Sequence, residues 1–197
     1  MRLTGDEAAV LVRSAAAGDR TAWESLVDGY SGLIWAIARN HRLSAGDAAD
    51  VSQTTWLRLL EHIDRLNNPT RVGAWLATTA RRESLRLQAR SKRTVLVGEE
   101  WDFKPDPAMA AQVPEVDEDL LRAERDEALA AALDQLPPRC QALMRLLLVD
   151  PPPSYEEVSS ALDMPIGSIG PTRGRCLEKL RLLMDGSGIE AHSIGSS

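Results

Sequence analysis

The chain is poor in the residues that chemistry, metals and membranes need. Its three histidines, His41, His62 and His192, are scattered along 197 residues, and there is no glycine-rich phosphate loop. No set of carboxylates has metal-ligand spacing, so nothing points to catalysis by the chain itself, and neither a metal nor a cofactor is expected. The two cysteines, Cys140 and Cys176, lie far apart without a Cys-x-x-Cys spacing. That suggests neither a disulfide framework nor a zinc knuckle, and a reducing compartment fits. Long apolar runs are missing too. None approaches a membrane span, and the opening Met-Arg-Leu-Thr-Gly-Asp-Glu leads into a charged helical pattern rather than an apolar signal core. A cytoplasmic protein without membrane insertion is expected. Strand signals and internal repeats are absent, which leaves an all-α class.

Excess positive charge is also lacking. A net charge of -6 counts against nucleic-acid binding, because affinity for phosphate normally comes from surplus Lys and Arg. The distribution of charge along the chain points the other way. Residues 94–121 hold eight acidic side chains against Lys104 alone, so the remainder is close to neutral. Within it, Arg71, Arg81, Arg82, Arg86, Arg90, Lys92 and Arg93 form a basic block relieved only by Glu83, and residues 173–181 form a second. Two basic surfaces flank an acidic connector. The hydrophobic share of 44% suffices for a packed core in one or two small domains.

What is present is helical periodicity. Residues 6–17 read as an Ala-rich helix, followed by a Gly18-Asp19-Arg20 turn and a second helix from about Thr21, with Trp23, Leu26, Val27, Tyr30, Ile34 and Ile37 as its buried stripe. Ser44 with Asp47 three residues on opens a helix to about Ile63, with Val51, Thr55, Leu59 and Ile63 on one face. Leu66-Asn-Asn-Pro-Thr70 is a turn, and a helix over about 72–92 follows. The segment 93–119, with Pro105, Pro107 and Pro114 and no sustained period, reads as a linker. A helix over about 119–135 leads into Leu136-Pro-Pro-Arg139, a short helix over 140–148 and a Pro-rich break. The Gly- and Ser-rich tail after Asp185 reads as disordered.

Ser154 to Leu183 reads as a helix-turn-helix. Ser154 and Glu157 form a capping box, Val158, Ala161 and Leu162 turn inward, and Asp163-Met-Pro165 breaks the run. The second helix carries Ile169, Cys176, Leu180 and Leu183 on one face and Ser168, Thr172, Arg175 and Lys179 on the other, which suits a DNA major groove. Pro171 predicts a late start near Gly167 or Ser168, with the proline in the first turn.

In order along the chain, Gly18-Asp-Arg-Thr-Ala-Trp-Glu-Ser-Leu26, Asp47-Ala-Ala-Asp-Val-Ser-Gln-Thr-Thr-Trp-Leu-Arg58, Gly73-Ala-Trp-Leu-Ala-Thr-Thr-Ala-Arg-Arg82, Leu136-Pro-Pro-Arg139, Ser154-Tyr-Glu-Glu157 and Pro165-Ile-Gly-Ser-Ile169 resemble the extracytoplasmic-function sigma factors of bacterial RNA polymerase. The resemblance covers nearly the whole chain. It implies a region 2 bundle over 1–93, an acidic linker over 94–118, a region 4 helix-turn-helix domain over 119–185 and a tail over 186–197. It also implies a non-enzymatic transcription initiation factor that binds core polymerase, recognises minus-35 and minus-10 promoter elements and supports promoter opening.

The resemblance places Asp47, Asp50, Gln53 and Trp56 against the clamp helices of the polymerase's largest subunit, and region 4 against the flap of the second-largest. Spacing of three puts the first three on one helix face able to accept hydrogen bonds from a partner's Arg, with an aromatic anchor beside them. Without it, Asp47 reads as a cap, Asp50 and Gln53 as solvated and Trp56 as core. For the minus-10 element the resemblance implies Asn67, Asn68 and Thr70 at an unpaired base, with Arg71, Arg81, Arg82, Arg86 and Arg90 on phosphates. Turn chemistry accounts for the Asn pair equally well. Trp75 reads as core or as a stacking platform. For the minus-35 element it implies Ser168, Thr172, Arg173, Arg175 and Lys179, with Arg175 foremost. Gly170, Pro171 and Gly174 depart from the family pattern and leave fewer long side chains to reach bases. The linker, anchored at Trp101 and Phe103, would mimic RNA in the exit channel as a polyanion. An anti-sigma factor is a possible further partner. The competing functions are a helix-turn-helix regulator acting without joining polymerase, and a sigma mimic that sequesters its partners.

Overall fold

The computed structural model describes residues 3–94 and 129–186, and every described element is helical. The connector beyond Thr94 with Trp101 and Phe103, the helix start expected at Asp119 and the tail beyond Gly186 lie outside the described residues, as do the side chains of Lys92 and Arg93.

Helix starts are where local sequence controls the chain most directly. α1 (Gly5–Ala16) opens on a capping box in which the Thr4 hydroxyl accepts from the Glu7 N–H and the Glu7 carboxylate accepts from the Thr4 N–H at 2.8 Å. α2 (Arg20–Asn40) opens on Asp19, which accepts from the N–H groups of Thr21 and Ala22. α3 (Ala45–His62) opens on Ser44, whose hydroxyl accepts from the Asp47 N–H and donates to the Asp47 carboxylate. Two short 3-10 turns, Ile63–Arg65 and Pro69–Arg71, lead to α4 (Val72–Thr94). The core of these four helices contains Val12, Leu26, Ile34, Ile37, Val51, Leu59, Val72 and Leu76, all fully buried. Of the expected α2 stripe, Leu26, Tyr30, Ile34 and Ile37 are buried, and Trp23 and Val27 are half-buried. The α3 face Val51, Thr55, Leu59 and Ile63 is buried as expected, and the Thr55 hydroxyl is satisfied by the Val51 carbonyl at 2.7 Å.

The second half contains α5, described over residues 129–135, then α6 (Pro138–Leu147), α7 (Tyr155–Leu162) and α8 (Ile166–Gly186). The Ser154–Glu157 capping box forms, and α7 ends at Asp163 in the left-handed region at φ 54°. Leu136, Leu143, Met144, Val158, Met164, Ile169 and Cys176 make its own core.

Three expectations need correction. α8 starts at Ile166, so Pro171 sits inside the helix rather than in its first turn. The lost N–H of Pro171 deprives the Gly167 carbonyl of its intrahelical donor, but Gly167 is exposed and the space around Gly167 and Gly170 is open. Thr172 is buried, because it shares the inward face of Cys176 four residues on. Finally, Cys140 and Cys176 form a disulfide. The packing of α6 on α8 brings their Cα atoms to 5.4 Å across 36 residues of sequence, a pairing that linear spacing does not reveal.

The two halves pack on each other through α4 and α7. Leu146 and Ala161 of the second half are buried in the core of the first, and the Asn40 amide donates to the Ala142 carbonyl at 3.0 Å. At Gly73 the two halves are in close contact. A Cβ there would meet the Tyr30 ring at 2.8 Å and collide with the Glu157 carboxylate, which is already committed to the Ser154 N–H. Overpacking of this kind costs about 1–3 kcal/mol. Gly73→Ala is therefore expected to loosen α7 from α4 while α1–α4 stay folded. Faster amide exchange confined to α6–α8, with exchange in the α2 and α3 core unchanged, is the result to look for.

Candidate nucleic-acid interface

α3 and α4 run side by side and leave between them a polar groove of about 280 Å³. Asp50, Gln53 and Thr54 line one wall, and Glu83, Arg86 and Arg90 line the other. Asp50 and Gln53 are exposed, as a partner-facing role requires. Glu83 organises the arginine side, with Arg58 at 2.9 Å and Arg86 at 3.7 Å from its carboxylate. Acceptors on one wall and guanidinium groups on the other make a surface for a polar, charged partner. Asp47 and Trp56 sit differently. Asp47 is half-buried and serves the Ser44 cap, and Trp56 is half-buried with its ring edge-on to Trp23 at 5.9 Å.

The loop before α4 holds Asn67, Asn68 and Thr70, all exposed. Asn68 is used locally, its carbonyl oxygen accepting from the Thr70 hydroxyl at 2.6 Å and the Thr70 N–H at 3.2 Å. Trp75 is half-buried beside the His62 ring at 6.4 Å. Along α4, Arg82, Arg86 and Arg90 are exposed. Arg71 and Arg81 are already paired across the two halves, Arg71 with Glu156 and Arg81 with Asp163 at 2.7 Å. Neither pairing has a local signal, since the partners lie more than eighty residues away.

On α8, Arg173, Arg175 and Lys179 are exposed, and Arg175 also donates to the Thr172 hydroxyl at 3.3 Å. Ser168 is half-buried and its hydroxyl donates to the Pro165 carbonyl at 2.7 Å. A Cβ at Gly167, Gly170 or Gly174 would meet nothing within 4 Å, so the first half of this helix presents bare backbone beside Arg173 and Arg175. Among the described residues no group of His, Cys, Asp or Glu has the arrangement to hold a metal ion, and no helix is long and apolar enough to cross a membrane.

Residues 26–94, which span α2, α3 and α4, match the Sigma-70 region 2 family. The part of the bundle from Leu26 through α4 is thus similar to sigma-70 region 2. The chain is also similar to the ECF RNA polymerase sigma factor SigE of Mycolicibacterium smegmatis, at 28% identity in an alignment of 174 positions that covers 84% of this chain and 64% of that protein. The fold is similar to that of CnrH in complex with the cytosolic domain of CnrY, with a TM-score of 0.56 and 21% identity over 91% of this chain and 97% of that one. The sigma factor RpoE from Bartonella quintana, in complex with the anti-sigma factor NepR, gives a TM-score of 0.50 at 21% identity over 78% of this chain and 90% of that one.

The helical bundle also contains a histidine with a shifted acidity. His41 follows α2, where burial and then the charge of Arg81 hold its pKa below the ordinary 6.5. A depressed folded-state pKa means that the unfolded chain takes up a proton first, so stability from this group is present above 6.5 and is lost as pH falls through it. The melting temperature is expected to drop between pH 7.5 and 5.5, and His41→Gln to reduce that drop. Equal drops for the two proteins would show that His41 contributes nothing.

Proposed function

We propose that this chain is a sigma factor that joins core RNA polymerase and directs it to promoters. The observation that carries the proposal is region 2 itself, whose α3 presents Asp50 and Gln53 across a groove from the arginines of α4. In this reading Asp47, Asp50, Gln53 and Trp56 define the polymerase-facing end of α3, with Asp50 and Gln53 making contact and Asp47 and Trp56 shaping the helix. The partner is the clamp helices of the largest subunit, and α6–α8 act as region 4, meeting the flap of the second-largest. Asn67, Asn68, Thr70, Arg71, Arg81, Arg82, Arg86 and Arg90 serve the minus-10 element. Ser168, Arg173, Arg175 and Lys179 serve the minus-35 element, with Thr172 supporting Arg175 from inside. The domains run 1–93, 94–118, 119–185 and 186–197, the chain works in the cytoplasm, and the reaction it serves is the polymerase's own. Tethering of two DNA-reading domains by the acidic connector makes their binding bivalent. An anti-sigma partner fits the same reading.

The paired state of Arg71 and Arg81 adds a condition. Both would have to exchange Glu156 and Asp163 for phosphates, so promoter reading requires region 4 to leave α4. Exposed pairs contribute only about 0–1 kcal/mol each, so the main cost of this exchange is the apolar burial of Leu146 and Ala161 that undocking gives up.

Promoter-specific run-off transcription with reconstituted polymerase tests the proposal, because neither an independent regulator nor a sequestering mimic would initiate. Asp50→Ala with Gln53→Ala is expected to weaken core binding about tenfold or more, for the loss of charge-assisted bonds of about 1.5–3 kcal/mol, without changing the melting temperature. Undiminished pull-down of polymerase would remove α3 from the interface. Arg175→Ala is expected to reduce transcription from a cognate promoter more than it reduces core binding, and a wild-type transcript level would leave Arg175 a surface charge.

A further inference from the structure

Cys140 and Cys176 are the only cysteines in the chain, and the fold brings them together. Their surroundings differ in a way that matters for chemistry. Cys176 is fully buried on the inward face of α8, in the core formed with Leu143, Met144 and Ile169. Cys140 is half-buried in the first turn of α6. One thiol is within reach of solvent and the other only of its partner. Arg173 and Arg175 lie on the exposed side of α8, so the bridge fastens the helix from behind without covering its cations.

We propose that Cys140 and Cys176 form a reversible thiol–disulfide site that clamps α8 to α6 in response to oxidants. With a hydroperoxide, the Cys140 sulfur attacks the peroxide oxygen, giving a sulfenic acid and releasing the alcohol, or water when the oxidant is hydrogen peroxide. The Cys176 sulfur then displaces the sulfenic oxygen as water. Two protons and two electrons leave the protein, and the peroxide is reduced. Reversal needs a small thiol or dithiol, which attacks Cys140, passes through a mixed disulfide and leaves oxidised as Cys176 is released. The remaining core of Leu136, Leu143, Met144, Val158, Met164 and Ile169 keeps the reduced form folded. Oxidation raises the stability of that domain by closing a loop across 36 residues, which restricts the unfolded chain. The consequence for promoter reading, a more firmly held recognition helix in the oxidised state, rests on the sigma-factor reading. The thiol chemistry does not.

The test uses the full chain with neither polymerase nor DNA, so its failure is separate from any failure of that reading. Reduced protein is treated with hydrogen peroxide or oxidised glutathione without denaturant, and intact mass, thiol content and melting are followed. The expected product is a monomer lacking both thiols and two hydrogens, restored by a dithiol, with its melting temperature raised by about 5–15 °C over the reduced form. Cys176→Ser should carry a glutathione adduct on Cys140 and lose the shift. Cys140→Ser, which replaces the more exposed residue and leaves the core intact, should keep Cys176 unmodified and also lose the shift. Surviving thiols, crosslinks between chains, modification of Cys176 in Cys140→Ser as fast as that of Cys140 in Cys176→Ser, or identical melting of the two redox forms would each overturn the proposal.

Discussion

The close approach of α7 to α4 is the contact on which the rest of the arrangement depends. α4 closes the region 2 core with Val72, Leu76, Ala77 and Ala80, and on its other side it receives the second half of the chain. Only a residue without a Cβ fits where Tyr30 and Glu157 converge, and Gly73 is there. Burial of Leu146 and Ala161 supplies the apolar part of the contact. The pairs Arg71–Glu156 and Arg81–Asp163 contribute less. Asp163 is 75% exposed and Arg71 58%, so water screens both, and pairs of this kind are worth about 0–1 kcal/mol. Burial and close packing hold the halves together, and the ion pairs set their register.

That division of labour has a functional side. A dominant salt-bridge network would make α4 a permanent part of a closed structure, whereas weak pairs let its arginines change partners. Under the sigma-factor reading, a nucleic-acid strand would offer a row of phosphates where the second half of the chain offers two carboxylates, and each released counterion would favour the strand. Glu83 works in the opposite sense from Glu156 and Asp163. It is itself half-buried in region 2 and holds Arg58 and Arg86 from within, so it orients cations whether or not the second half is docked.

Much of this is legible in the sequence because it is local. Capping at Ser44 and Ser154, the buried faces of α2 and α3, the turn before α4 and the break at Asp163 all follow from residues a few positions apart. The exposed placement of Asp50, Gln53, Arg82, Arg86 and Arg90 follows from helical spacing in the same way. What escapes depends on distant partners. The disulfide joins cysteines 36 residues apart, the Arg81–Asp163 pair spans 82, and no periodicity encodes either. Thr172 misleads because a threonine among arginines resembles a polar face, while its position four residues before Cys176 puts it inside. The start of α8 misleads because Pro171 has the character of a helix breaker, and only the fold shows the open space that Gly167 and Gly170 leave around it.

The glycines of α8 bear on where sequence discrimination arises under the sigma-factor reading. A recognition helix reads base edges with side chains that fork or reach, and Gly174, between Arg173 and Arg175, has no side chain at all, nor do Gly167 and Gly170 one and two turns earlier. Bare backbone admits close approach to the duplex, which favours reading of groove shape and phosphates over base edges. The loop before α4 has the opposite character. Asn68 has its carbonyl oxygen engaged by Thr70, so what it offers a base is its amide N–H groups, a match for a base acceptor. Asn67 beside it is exposed and offers both donor and acceptor. Under that reading, a protein built this way would position itself on duplex DNA through α8 and discriminate bases chiefly where the strands have separated.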